Sequence, residues 1–202
     1  MAHPRNPTIP PLSVDRIPRT IVLVGLMGAG KTSIGKRLAT RLGLPFRDAD
    51  QEIEEAAGCT IPEIFDRFGE AGFRDGERKV IARLLDGPVH ILSTGGGAFM
   101  DAGTRAVIRD RGISVWLRAE LDLLVQRTAR RDTRPLLKSG DPREILKRLM
   151  DLRYPVYAEA DLTVESDERP PEETTERVIH ALDTWLPPHP APRVQGLSLA
   201  GD

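Results

Sequence analysis

Gly25-Leu26-Met27-Gly28-Ala29-Gly30-Lys31-Thr32 fits the spacing G-x-x-x-x-G-K-[ST], and two contrasting apolar patterns flank it. Before it, Thr20-Ile21-Val22-Leu23-Val24 is a short apolar run, the pattern of a strand buried on both faces. After it, Ile34, Leu38 and Leu42 recur at every fourth position, so 31–42 reads as an amphipathic helix. A strand, a glycine turn and a helix in that order are the context in which this spacing cradles phosphate. Gly25, Gly28 and Gly30 allow the bend that turns successive N–H groups inward, and the helix adds its positive end. Lys31 supplies a point charge for the β- and γ-phosphates, and the Thr32 hydroxyl is a ligand for Mg²⁺. Gly28, Ala29, Gly30, Lys31, Thr32 and Ser33 are therefore the expected contacts to a nucleoside triphosphate. The competing reading is a chance glycine turn with a solvated lysine.

Further strands are expected at 45–48, 89–93, 113–117 and 162–164, from short β-rich runs. Helical patterns lie between them: 51–57, a helix opening at the capping box Thr60-Ile61-Pro62-Glu63, 73–85 and 120–130. Another opens at Asp141-Pro142, and 171–185 closes the body with Val178, Ile179, Leu182 and Trp185 inward. Strands alternating with helices imply an α/β domain with a parallel sheet covered on both faces. Residues 19–186 form that domain. Proline gathers at 1–18 and 187–202, and both stretches read as poorly ordered tails.

The chain has 202 residues, enough for one domain, with 29 Lys+Arg against 30 Asp+Glu and a net charge of −1. Near neutrality argues against general nucleic-acid binding, so phosphate chemistry must be local. One cysteine, Cys59, excludes an internal disulfide framework and a cysteine-cluster metal site. No apolar run reaches the ~20 residues of a membrane helix. A cytoplasmic protein without membrane or nucleic-acid partners is the expectation.

The wider segment from Gly25 to Ala39 resembles the shikimate kinases. Further motifs follow in order: Phe46-Arg47-Asp48-Ala49-Asp50, Phe73-Arg74-Asp75-Gly76-Glu77, Ser93-Thr94-Gly95-Gly96-Gly97-Ala98, Arg134-Pro135-Leu136-Leu137, and the stretch from Arg153 to Asp161. The resemblance implies a three-layer P-loop NTPase fold with strand order 2-3-1-4-5 and a mobile lid. It implies transfer of phosphate from ATP to the 3-hydroxyl of shikimate, with Mg²⁺, by a protein that is commonly a monomer.

The same resemblance distributes the roles. It assigns Asp48 to the Mg²⁺ region and Asp50 to the shikimate hydroxyls, where a carboxylate can take the proton of the attacking one. Asp50 could alternatively serve only as a helix cap. Arg74 and Arg153 match the positions that hold the substrate carboxylate, for which guanidinium forks are suited. Glu77, three residues after Arg74, can pin it. Gly96 and Gly97 bring backbone amides close to the γ-phosphate and substrate. Arg134 enters from the lid onto the transferring phosphoryl group, and Arg127 packs near adenine. Two rivals share the architecture: a gluconate kinase, and a nucleotide-binding regulator without catalysis.

Overall fold

A computed structural model describes residues 12–129 and 140–187. The tail expectations for 1–11 and 188–202, and the lid with Arg134, lie outside the described residues. Five parallel strands form one sheet in the order β2-β3-β1-β4-β5. They are β1 (Thr20–Val24), β2 (Phe46–Asp48), β3 (Ile91–Ser93), β4 (Gly112–Arg118) and β5 (Leu162–Glu165). β1 lies at the centre: Val22 is opposite Leu92 on one side and Ser114 on the other. All five of its residues are buried, as the uninterrupted apolar run requires of a strand covered on both faces.

The helices are α1 (Lys31–Leu42), α2 (Ala49–Ala57), α3 (Ile61–Leu85), α4 (Ala102–Arg111), α5 (Leu121–Ala129), α6 (Pro142–Tyr157) and α7 (Pro171–Trp185). α1 buries Ile34, Leu38 and Leu42, the fourfold series. α2 starts earlier than the sequence pattern suggests. Its cap is Asp48, whose side chain accepts from the Asp50 N–H, so Asp50 is not spent on capping. α3 opens with the Thr60–Glu63 capping box in both directions. It joins two helical patterns into one length, kinked where Gly69 takes φ 67°.

α4 has no counterpart in the sequence reading. Val107 and Ile108 stand among arginines and an aspartate, too sparse an apolar series to mark a face. Its start is nevertheless fixed by Asp101, which accepts from the Thr104 N–H.

The N-terminal tail reading of 1–18 does not hold over its last part. Leu12 and Ile17 are buried in the main core, and Arg16 reaches the end of α7. Trp185, expected inward, is 40% exposed, because Leu182 and Leu186 take the core positions at that end.

Chain direction reverses at the centre of the sheet. β1 leaves through α1 toward β2, whereas β3 leaves through α4 toward β4. Such a divergence between neighbouring strands opens a crevice at their carboxyl ends. The phosphate loop lies on one side of this crevice and Gly95–Gly97 on the other. A small second core of Ile53, Ile64 and Phe73 lets α2 and the first half of α3 stand over the same edge.

Candidate active site

The phosphate loop turns where glycine is required. Gly25 has φ 141°, and a Cβ there would fall 2.8 Å from the Leu117 carbonyl oxygen, so both conformation and space exclude a side chain. Gly30 is the left-handed N-cap of α1. The Lys31 ammonium donates to the carbonyls of Gly25 at 2.8 Å and Leu26 at 3.1 Å, which holds it over the loop. Ser33 lies on the first turn of α1, where its hydroxyl accepts from Arg37 at 2.8 Å.

A second clasp holds the loop from the far side of the sheet. Ser166, just after β5, donates from Oγ to the Ala29 carbonyl at 2.8 Å. Arg127 on α5 donates to Ser166 Oγ at 3.0 Å, to the Gly28 carbonyl at 3.3 Å and to the Asp167 carbonyl at 2.5 Å. Arg127 is thus tied directly to the loop.

At the end of β2, Asp48 does two things. One oxygen caps α2, and the other accepts from the Thr32 hydroxyl at 3.1 Å. A hydroxyl and a carboxylate side by side are hard oxygen donors, suited to Mg²⁺ that takes its remaining ligands from phosphate and water. This donor pair fits the ion.

The residues carrying the remaining chemistry converge on Gly95–Gly97. A Cβ on Gly95 would lie 2.8 Å from Asp50 Oδ1 and 3.3 Å from Glu77 Oε1. A Cβ on Gly96 would lie 3.4 Å from Arg153 Nη1 and 3.7 Å from the Met27 nitrogen of the phosphate loop. On Gly97 it would collide with the Arg74 guanidinium. Three consecutive glycines therefore touch both carboxylates, both arginines and the phosphate loop. Any side chain here would fill the space in which these groups meet.

Arg74 is positioned by Glu77, to which it donates at 2.6 Å, and lies 5.1 Å from the Phe73 ring centre. Arg153 on α6 donates through Nη1 to the Gly96 carbonyl at 2.8 Å. Its buried Nε has no hydrogen-bond partner among the described residues, and the same holds for Glu77 Oε1. Buried polar atoms without partners mark places where a polar ligand would be accepted.

Asp50 opens to solvent at the crevice, and desolvation by the protein packed around its carboxyl, then the nearby Asp48 carboxylate, push it above its ordinary range, while Lys31 and Arg74 oppose the shift. Glu77 is likewise raised by burial, against the pull of Arg74. Two carboxyl groups with a raised affinity for protons, beside two guanidinium groups and a phosphate cradle, suit proton removal from a hydroxyl of an anionic substrate.

Of the sequence-predicted residues, Asp50, Arg74 and Arg153 meet at Gly95–Gly97, Thr32 with Asp48 and Arg127 with Gly28 form contacts at the phosphate loop, the Ser33 hydroxyl is engaged by Arg37, and Arg134 lies outside the described residues. Tyr157 and Ser166 were missed as site residues. Tyr157 stands one helical turn after Arg153 and donates to the same Gly96 carbonyl, so i, i+4 spacing on α6 was the available signal. Ser166 carries no comparable mark in the sequence.

Known proteins resemble this chain over most of its length. The shikimate kinase family model matches residues 27–183. A shikimate kinase from Paramagnetospirillum magneticum is 64% identical over 176 residues, covering 87% of this chain and 90% of its own. One from Caulobacter vibrioides is 57% identical, covering 81% of this chain and 82% of its own. Among solved structures, the Acinetobacter baumannii shikimate kinase in complex with shikimate superposes with TM-score 0.78 at 40% identity, covering 82% of this chain and 93% of that one. A gluconokinase from Sinorhizobium meliloti reaches TM-score 0.58 at 18% identity, covering 85% of this chain and 95% of that one, a likeness of fold alone. A phosphate cradle facing paired carboxyl groups and paired guanidinium groups, on a chain this similar over most of its length, shows that it belongs to the shikimate kinase family.

Proposed function

We propose that this chain transfers the γ-phosphate of ATP to the 3-hydroxyl of shikimate, giving ADP and 3-phosphoshikimate for aromatic amino-acid synthesis, as a cytoplasmic monomer. The observation carrying this reading is the convergence of Asp50, Arg74, Arg153 and the phosphate loop on Gly95–Gly97. Shikimate is a small hydroxylated monocarboxylate, so it needs fixed positive charge at one end and a proton acceptor at the other.

Arg74 and Arg153 bind the carboxylate and orient the ring. Asp50 accepts the proton of the 3-hydroxyl as its oxygen bonds to the γ-phosphorus and the bond to ADP breaks. Gly28 to Ser33 hold the triphosphate through backbone amides and side chains, Lys31 adds positive charge at the β- and γ-phosphates, and Arg127 borders the adenine. Thr32 and Asp48 would hold Mg²⁺, which when bound neutralises phosphate charge. Gly96 and Gly97 let the backbone approach both substrates. Arg134 is assigned by its sequence motif to the transferring phosphoryl group.

A coupled assay of ADP release, with shikimate and gluconate compared, tests the reading. Mg²⁺-dependent release with shikimate and none with gluconate is expected. Release with gluconate instead would favour the rival sugar-acid kinase. Saturable ATP binding without release on either acid would favour the non-catalytic rival.

A further inference from the structure

The Gly96 carbonyl accepts two hydrogen bonds from one helix. Arg153 donates to it through Nη1 at 2.8 Å, and the Tyr157 hydroxyl donates to it from the next turn of α6. A carbonyl has two acceptor sites, and both are used. Tyr157 is 0% exposed, packed among Phe99, Trp116 and Tyr154, so its hydroxyl has little freedom to leave. Burial pushes that hydroxyl up to about 12, so it remains a donor throughout the neutral range.

The peptide unit between Gly96 and Gly97 is planar. Fixing its carbonyl toward α6 therefore turns the Gly97 N–H to the opposite side, away from Tyr157 and Arg153. The neighbouring carbonyls are held by the turn that follows, Gly95 by the Ala98 N–H at 3.2 Å and Gly97 by the Met100 N–H at 3.0 Å, while the Gly96 carbonyl is held from α6. The same bond also fixes the acceptor on which Arg153 rests, and so the direction of the Nε that has no partner among the described residues.

We propose that Tyr157 is a positioning residue for the acid substrate: by holding the Gly96 carbonyl on which Arg153 rests, it orients the Arg153 guanidinium toward the shikimate carboxylate. Its effect falls mainly on the acid, because it works through Arg153, whereas the phosphate loop has ties of its own to Arg127 and Ser166. This inference rests on the functional reading above.

The test is a double-mutant cycle of Tyr157→Phe and Arg153→Lys, with KM for each substrate, kcat and melting temperature measured. Phenylalanine keeps the ring and removes only the donor. Tyr157→Phe is expected to raise the shikimate KM about tenfold while leaving the ATP KM within about twofold. In the Arg153→Lys background it should add little, since both changes act through one guanidinium. Tyr154→Phe, which removes a half-buried hydroxyl bonded to the Ala119 carbonyl, should leave the shikimate KM unchanged.

An unchanged shikimate KM in Tyr157→Phe, equal rises in both KM values, or effects that multiply independently in the double variant would each overturn the inference. If Tyr157→Phe only lowered the melting temperature, as Tyr154→Phe would, the role is structural and the inference fails. Absence of shikimate turnover in the unaltered protein would instead overturn the functional reading and this inference with it.

Discussion

Arg74 and Glu77 are joined by a 2.6 Å ion pair within α3, and the glutamate is 1% exposed. Such burial would be costly for a lone carboxylate, so the pair stands or falls together. Only one glutamate oxygen is taken by the arginine. The other faces Gly95, on the same point that Asp50 approaches. Arg74 is thus held through Nη1, while its Nη2 lies 3.5 Å from the exposed Glu70 carboxylate, a looser contact that an acid ligand can displace.

Arg74→Ala is expected to raise the shikimate KM at least tenfold with the ATP KM unchanged. It will also lower the melting temperature, because Glu77 loses its partner. The double variant Arg74→Ala with Glu77→Gln should regain much of the thermal loss and none of the lost affinity. Equal weakening for ATP, or recovery of shikimate affinity in the double variant, would contradict the assignment.

Asp50→Asn separates stability from activity. The carboxyl is raised above its ordinary value of 3.8, so the folded state holds the proton more tightly than the unfolded chain does. Ionised Asp50 therefore costs stability at neutral pH, and the cost disappears as pH falls below the ordinary carboxylate range. Asn should melt above wild type at pH 7, with the gap closing under acid. Turnover should drop at least a hundredfold, roughly the worth of a positioned base. A gap that stays constant with pH would show that ionisation is not its source.

Lys31→Met should reduce kcat by at least a hundredfold, since a charge aimed at the transferring phosphate is worth most in the transition state. Its two bonds to loop carbonyls make some loosening of the loop expected as well. Steady-state kinetics with a thermal melt distinguish the two effects: a large kcat loss with only a small change in melting temperature is the predicted outcome.

The glycine run predicts a division of effects by position. A methyl on Gly97 would displace the Arg74 guanidinium, so Gly97→Ala should act mainly on the shikimate KM. A methyl on Gly95 would press on Asp50 Oδ1 at 2.8 Å, so Gly95→Ala should act mainly on kcat. Identical kinetic changes in both variants would mean that the loop, not its neighbours, is what suffers.

Much of this was legible in the residues themselves. β1 and the loop after it carry their own pattern, whereas Asp48, Asp50 and the glycine run, which follow strands, had their roles from the family resemblance of their motifs. The Arg74–Glu77 pair was legible because i, i+3 spacing needs only a helix. What linear reading could not reach are contacts made by topology. Ser166 meets Ala29 across 137 residues, and Tyr157 meets Gly96 across 61, with no local mark beyond helical spacing in the second case. Leu12 and Ile17 read as tail because two apolar residues among prolines have no period, yet the core surface that covers them exists only after folding.

That N-terminal segment gives the last prediction. Arg16 pairs with the Asp183 carboxylate and donates to the carbonyls of Asp183, Leu186 and Pro187, the free acceptors at the end of α7. A cation at a helix C-terminus is favoured both by these bonds and by the helix dipole. The pair is only 18% exposed on each side, so solvent screening is limited. Arg16→Ala should cost about 2 kcal/mol through the loss of charge-assisted hydrogen bonds, or roughly 5 °C in melting temperature. Because the contact lies away from the crevice, kcat and both KM values should stay at wild-type levels. Arg16→Lys, which keeps the charge but not the fork, should recover only part of the loss. Full recovery by lysine would show that charge alone holds the segment, and a change in either KM would show that the α7 terminus is coupled to the site.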